Sequence, residues 1–421
     1  MNIFDIPIDI LKQIFQYGDF ITKIRFRQIW KFTLENLHII DFYYIEQNYL
    51  KKLTDDILNK HKFIKYLNAN YNMNIKDVSW MTNLKELNAN GTCGIGQIGI
   101  KGLNLIKLNV YNNDKITDVN LMKNLKELDA GGQCGIDQKG IKELNLIKLD
   151  IWNNEKIKDL SFMTSLKELY IYASNSCEVY QSGIKGLSLT KLVVNNYFKI
   201  TDVSFMKNLK ELNAREQCGI DQIGIEGLNL IKLDASNNSK IKDVSFMTNL
   251  KELFADENCG IDQIGINGLN LIKLNANNNS KIKDVSWMKN LKELNATEDC
   301  GIGQKGIKGL DLIKLNVNHN YKIKNVSWMR NLKEFCASGN CGIDQEGIKG
   351  LNLIKLDVWN NNKIKDVNWM KNLKELDASE NCGIDQSGIK GLDLIKLNIF
   401  NNSKINDVCW MKNLKELNES I

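Results

Sequence analysis

The chain has 421 residues, 43% of them hydrophobic and 25% charged, which excludes a disordered polymer and leaves room for a few ordinary domains or one long array. A net charge of +6 is a mild excess at this length and no nucleic-acid signature, and no uncharged apolar run is long enough to span a bilayer. Asp5 and Asp9 lie where a secretory signal needs basic residues, so the expected location is intracellular and cytoplasmic, with all ten cysteines reduced.

In chain order, the first element is a helix: Ile6, Ile10, Leu11, Ile14 and Phe15 recur at helical spacing, with Pro7 and Asp9 in the opening turn. A second apolar patch follows at Ile24, Phe26, Ile29 and Trp30, and a third at Leu50, Leu53, Ile57 and Leu58. One reading is a helical cap, residues 46–63 serving as linker and capping helix, that covers the apolar end of whatever follows. The segment FDIPIDILKQIFQY also resembles the start of an F-box, L-P-x-E-I-L-x-x-I-F-x-Y-L. Ile6-Pro7 stand for Leu-Pro, Asp9 for the acidic position, Ile10-Leu11 for Ile-Leu, Ile14-Phe15 for Ile-Phe and Tyr17 for Tyr. Phe26 to Lys31 resembles the later F-box stretch L-R-x-V-C-K, departing from it with Trp30 for Cys and with Thr33 where a Trp is usual. The match covers roughly residues 2–45 and is closer in its first half.

From Ile64 onward the sequence is periodic. Units of 41 residues, one of them 43, each split into two related halves such as LIKLDVWNNNKIKDVNWMKN and LKELDASENCGIDQSGIKGL. Each half opens with L-x-x-L-x-[L/V/I/A], a short alternating strand, then a polar turn and an apolar return. This resembles the leucine-rich repeat, and eighteen such openings run from Ile64 to Leu414, the last incomplete. The expected fold is an α/β repeat: a curved leucine-rich-repeat solenoid over residues 64–421 with one parallel sheet, preceded by a small α-helical F-box-like segment at 1–45. The strand after Leu414 has no polar cap, which predicts an exposed edge that either self-associates or frays.

Eight cysteines recur once per unit, at Cys93, Cys134, Cys177, Cys218, Cys259, Cys300, Cys341 and Cys382. Two strands apart, they are about 10 Å from one another, too far for a disulfide or a shared metal, so a buried structural column is expected and no cofactor or metal. Asparagine holds the analogous corner of the other half, at Asn72, Asn113, Asn154, Asn238, Asn279, Asn320, Asn361 and Asn402. Tyr197 interrupts that ladder, which predicts unpaired backbone groups there. The glycines of CGI and GIKGL are assigned to turns. Lys and Glu alternate from strand to strand at the third position, a register and solubility device rather than a nucleic-acid stripe.

The exposed strand face predicts eight large contact residues: Tyr111, Trp152, Tyr170, Tyr172, Arg215, Phe254, Trp359 and Phe400. Three of them flank the 43-residue unit, where Cys177-Glu178-Val179-Tyr180-Gln181 replaces CGIDQ; drift of the repeat and a ligand-contacting irregularity both explain it. A second column, Trp80, Phe162, Phe205, Phe246, Trp287, Trp328, Trp369 and Trp410, is expected to pack as a half-buried ridge or to form a second binding face. Three histidines lie far apart, and no nucleophile–base set, phosphate loop or metal spacing is present, so no enzyme activity is expected.

An F-box followed by leucine-rich repeats is similar to the substrate receptors of SCF ubiquitin ligases, and Asn/Lys/Ile-rich versions resemble proteins of giant DNA viruses that infect amoebae. The resemblance implies a hook on a Skp1-like adaptor made by Ile6, Pro7, Ile10, Leu11, Ile14 and Phe15, with the repeats gripping a protein substrate. A leucine-rich-repeat scaffold with a merely structural cap is the alternative.

Overall fold

The computed structural model describes residues 8–28, 37–172 and 177–419, apart from the side chains of Asp9, Ile14 and Gln47. Ile6, Pro7, Ile29, Trp30 and the side chain of Ile14 therefore lie outside the described residues. Two compact units divide between Ile200 and Thr201. Each is built of leucine-rich repeats whose strands are parallel and, apart from a first strand of two residues, three residues long.

In the first unit the strands are β1 (Asp41–Phe42), β2 (Tyr66–Asn68), β3 (Glu86–Asn88), β4 (Lys107–Asn109), β5 (Glu127–Asp129), β6 (Lys148–Asp150), β7 (Glu168–Tyr170) and β8 (Lys191–Val193), each paired with the next. In the second unit β9 (Glu211–Asn213) to β19 (Glu416–Asn418) pair in the same successive order. All eighteen openings read from the sequence hold a strand. A three-residue strand gains little alone; its middle leucine, such as Leu108 or Leu274, is fully buried against the leucines of adjacent strands.

The sheet begins earlier than Ile64. Phe42 pairs with Leu67 and Asp41 with Tyr66, which aligns Ile39 with Ile64. Ile39, Phe42, Leu50, Leu53 and Leu58 are buried, and two four-residue helices, Gln47–Leu50 and Asp55–Leu58, stand where later turns have their return segment. Residues 39–63 thus form a degenerate first turn. Ahead of it, α1 (Ile8–Tyr17) buries Leu11 and Phe15, and α2 (Phe20–Gln28) contributes no fully buried side chain. Phe15 meets Phe26 at 6.2 Å between ring centroids, and Phe20 meets Phe42 edge-on at 5.3 Å.

Between turns the corner asparagine does the joining. The Asn238 side-chain amide donates to the carbonyls of Ala214 at 2.8 Å and Ile220 at 3.2 Å, both in the preceding turn, while its oxygen accepts from Lys240 N at 3.0 Å. The same pattern recurs at Asn113, Asn154, Asn279, Asn320, Asn361 and Asn402. Asn72 reaches back to Leu50 O and Leu53 O, so the degenerate first turn is held in the same way. The lysine two residues on completes the corner: Lys240 Nζ donates to Cys218 O at 2.8 Å, and each later unit repeats this. That lysine stands at the same place in every unit from Lys115 to Lys404, a regularity as strict as that of the cysteine.

Two expectations need correction. Tyr197 does not leave its corner unpaired: its buried hydroxyl donates toward Val179 O at 2.6 Å and lies 3.2 Å from Cys177 O, replacing the amide from a longer side chain. The glycines are not all turn residues. A Cβ on Gly94, which lacks the left-handed backbone, would meet Ile75 O at 2.5 Å and Met73 O at 2.6 Å, so close approach of the preceding turn requires glycine there. In GIKGL the second glycine, as at Gly102 with φ 79°, is the true turn residue.

Replacing Asn238 with Ala orphans two buried carbonyls and is expected to destabilise the second unit by about 1–3 kcal/mol. Tyr197→Phe, which keeps the ring and removes only the hydroxyl, is expected to act in the same direction on the first unit. Denaturant unfolding of the full chain checks both.

Candidate functional site

The strand face divides into rows. The first is the alternating Lys/Glu row, whose partners are in register and within 2.8–3.7 Å at seven places, including Lys107–Glu127, Lys148–Glu168, Lys273–Glu293 and Lys396–Glu416. These groups are solvent-exposed, and each lysine is neutralised by its neighbour. The row is a solvated seam.

Two residues further along each strand is the second row, where Tyr170 and Phe254 lie. Both are half-buried and flanked by lysines. Lys148 and Lys191 sit 5.0 and 5.8 Å from the Tyr170 ring, and Lys232 and Lys273 sit 5.4 and 5.7 Å from the Phe254 ring. Tyr170 also donates to Glu168 at 2.9 Å, and burial together with that carboxylate pushes its phenol up to about 12. These two predicted contact residues are engaged within the sheet.

The third row carries the remaining six. Tyr111, Trp152 and Tyr172 belong to the first unit, and Arg215, Trp359 and Phe400 to the second. Trp152, Trp359 and Phe400 are 40%, 38% and 42% exposed. Tyr111 and Trp152 stack at 5.5 Å with 13° between ring planes, and Trp152 meets Tyr172 edge-on at 6.1 Å. Arg215 lies 3.9 Å from Asp234. His319 lies edge-on to Trp359 at 6.2 Å, a neighbour the sequence did not indicate.

Beneath these rings the second row turns acidic. Asp129 and Asp150 are register partners on β5 and β6. Burial, and then the Asp150 charge, raises Asp129 to about 6. Burial raises Asp150 as well. The second unit has a similar pair, Asp357 and Asp377, but there Ser338, Ser379 and Asn398 donate to the carboxylates.

In the Trp/Phe column, Phe162, Phe205, Phe246 and Trp328 are 37–39% exposed, as open as Trp359. The Trp287, Trp328, Trp369 and Trp410 indoles each donate at 3.0 Å to a carbonyl of the preceding turn, Leu269, Leu310, Leu351 and Leu392. The eight ladder cysteines are free and fully buried, and burial pushes Cys134 and Cys259 up to about 12 and Cys218, Cys300 and Cys382 up to about 11. Cys336 is half-buried, and only Cys409 is exposed. The predicted N-terminal hook is split: Leu11 and Phe15 face inward, whereas Ile10 is 45% exposed.

No protein-family model matches the sequence, and no curated protein matches it. Among solved structures, a chain of the mouse RP105/MD-1 complex is similar with a TM-score of 0.51 and 16% identity, over 90% of this chain and 77% of that one. A leucine-rich-repeat protein of Leptospira interrogans (TM-score 0.38, 15% identity, 89% and 98% covered) is also similar. So is the functional domain of InlJ from Listeria monocytogenes, which includes a cysteine ladder (TM-score 0.28, 17% identity, 79% and 66% covered). The fold is that of the leucine-rich-repeat solenoid proteins.

Two outcomes follow. Maleimide labelling of the folded chain at neutral pH is expected to modify Cys409 first and Cys336 slowly, with the eight ladder thiols reacting only after denaturation; peptide mass spectrometry reads this directly. Because the folded-state value of Asp129, about 6, lies above its ordinary 3.8, its charge opposes folding at neutral pH, and that penalty disappears as pH falls towards 4. Asp129→Asn is therefore expected to raise the melting temperature at pH 7.5, with the gain shrinking steadily down to pH 4.

Proposed function

We propose that this chain is a protein-binding scaffold that uses the third strand row as its contact face, with the N-terminal helices recruiting a Skp1-type ubiquitin ligase core. The observation that carries the first part is chemical. Along the strand face the charged row is neutralised and the second-row aromatics are half-buried and flanked by lysines, leaving large half-exposed side chains such as Trp152, Trp359 and Phe400 for a partner. Aromatic anchors amid short polar side chains have the composition of protein interfaces. The proposed contact residues are Tyr111, Trp152, Tyr172, Arg215, Trp359 and Phe400, with Tyr170 and Phe254 as their supports.

The adaptor part rests on the F-box-like segment and on the outward Ile10, an apolar side chain that folding leaves available on a helix whose other face is buried. Ile6, Pro7 and Ile14 complete the proposed hook. The alternative, a helical cap with no ligase link, is favoured by the inward Leu11 and Phe15 and by the Asn72 bonds to Leu50 and Leu53.

One experiment separates the two. The full chain is tested for binding to a purified Skp1-like protein, beside Ile10→Asp. Wild-type binding that falls at least about tenfold in Ile10→Asp, with an unchanged melting temperature, supports the adaptor; tenfold corresponds to about 1.4 kcal/mol. A folded wild-type chain that does not bind leaves the capped scaffold.

A further inference from the structure

The third row of the first unit reads Asn90, Tyr111, Gly131, Trp152, Tyr172 on successive strands. Tyr111 and Trp152 are two strands apart, about 10 Å by sheet spacing, yet their rings stack at 5.5 Å. They meet because the intervening position is glycine. A Cβ on Gly131 would lie 3.0 Å from the Tyr111 ring and 2.9 Å from Trp152 O. The absent side chain lets the two rings close over the strand between them, and Tyr172 extends the cluster.

Acid gathers at the same place. The carboxylates of Asp129 and Asp150 each accept one backbone N–H, from Gly131 at 3.2 Å and Trp152 at 3.0 Å, and no side-chain donor among the described residues serves them, unlike Asp357 and Asp377. The corner position between the ladder asparagine and its lysine is Asp114 and Glu155 in these two turns, but Phe198, Ser239, Ser280, Tyr321, Asn362 and Ser403 in the turns that follow. Asp114 and Glu155 line an open hollow of about 740 Å³ beside Tyr111 and Gly132. Of the lysines nearby, Lys107 and Lys148 pair with Glu127 and Glu168, while Lys115 and Lys156 donate to Cys93 O and Cys134 O and stay cationic, Lys156 lining the hollow itself. A chain of net charge +6 thus gathers four carboxylates, Asp114, Asp129, Asp150 and Glu155, against the cations of Lys115 and Lys156 near its one stacked Tyr–Trp pair among the described residues.

A flat aromatic surface bordered by carboxylates fits a planar cation that can stack and hydrogen-bond at its edge, which describes a guanidinium better than an ammonium. We propose that the stacked Tyr111–Trp152 pair, with Asp129, Asp150, Asp114 and Glu155 around it, recognises an arginine side chain on a basic segment of the protein partner. This rests on the scaffold reading and specifies the chemistry of one part of its face.

The test uses the full chain and a fluorescein-labelled Gly-Arg-Gly-Arg-Gly peptide, with lysine and glutamate versions, by anisotropy at low salt. The arginine peptide is expected to bind more tightly than the lysine one, and the glutamate peptide not at all. Trp152→Ala and the Asp129→Asn, Asp150→Asn double variant are each expected to weaken binding about tenfold or more. Gly131→Ala, which parts the rings and leaves every charge in the chain, weakens it too, while Tyr321→Ala, at an exposed corner of the second unit, leaves it unchanged. Absence of arginine-peptide binding, equal binding of the glutamate peptide, or unchanged affinity in Trp152→Ala with native circular dichroism overturns the inference. The scaffold reading stands or falls separately: a partner whose binding depends on Trp359 and Phe400 but not on Trp152 leaves it intact and removes only the arginine site.

Discussion

Every second turn of this chain, the one with the cysteine corner, leaves carbonyl groups for which the next turn supplies the side-chain donors. The corner asparagine amide binds two carbonyls of the turn before it, and the lysine beside it binds a third, the cysteine carbonyl. A buried carbonyl without a partner is expensive, so each turn with a cysteine corner depends on the turn after it supplying the asparagine and lysine donors. The other regularities follow from that coupling. The cysteine is small enough to sit behind the corner, and the glycine after it has no Cβ because carbonyl oxygens of the preceding turn approach to within 2.4–2.6 Å of where one would be.

Where the rule is broken, it is broken in a compensated way. Glu178 stands where the other units have glycine and Tyr197 where they have asparagine. The two changes meet: Lys199 bonds both Cys177 O and Glu178 at 2.8–2.9 Å, and the Tyr197 hydroxyl covers the Val179 carbonyl. The 43-residue unit keeps the hydrogen-bonding requirement with different side chains, which is what a constraint on donors, rather than on residue identity, permits.

The same coupling decides where function can reside. Core and corner positions answer to the neighbouring turn, and the Lys/Glu row answers to its neighbour in the sheet, so only the third row and parts of the second are free to change from one repeat to the next. The free positions are not equivalent. Tyr170 and Phe254 carry lysines against their rings, while Tyr111, Trp152 and Tyr172 contact one another and Trp152 is 40% exposed. An aromatic residue held by its own sheet is a support; one that stacks at the surface can anchor a partner.

The repeat, its period, the strand positions, the buried cysteine and asparagine columns and the exposed rows were all legible in the sequence, because each rests on local alternation repeated eighteen times. The first turn was not: Ile39, Phe42 and the two short helices after them share no motif with the later repeats, and only pairing of Phe42 with Leu67 identifies them as part of the sheet. Nor did the linear order of residues show which predicted contacts are flanked by lysines, or that a glycine lets Tyr111 and Trp152 meet across a strand. Those facts depend on distances between side chains some forty residues apart. By itself the sequence determined what each turn is made of; which side chains end up touching was decided by the stacking of one turn on another, since contact across strands is set by register and by the volume of the residue between.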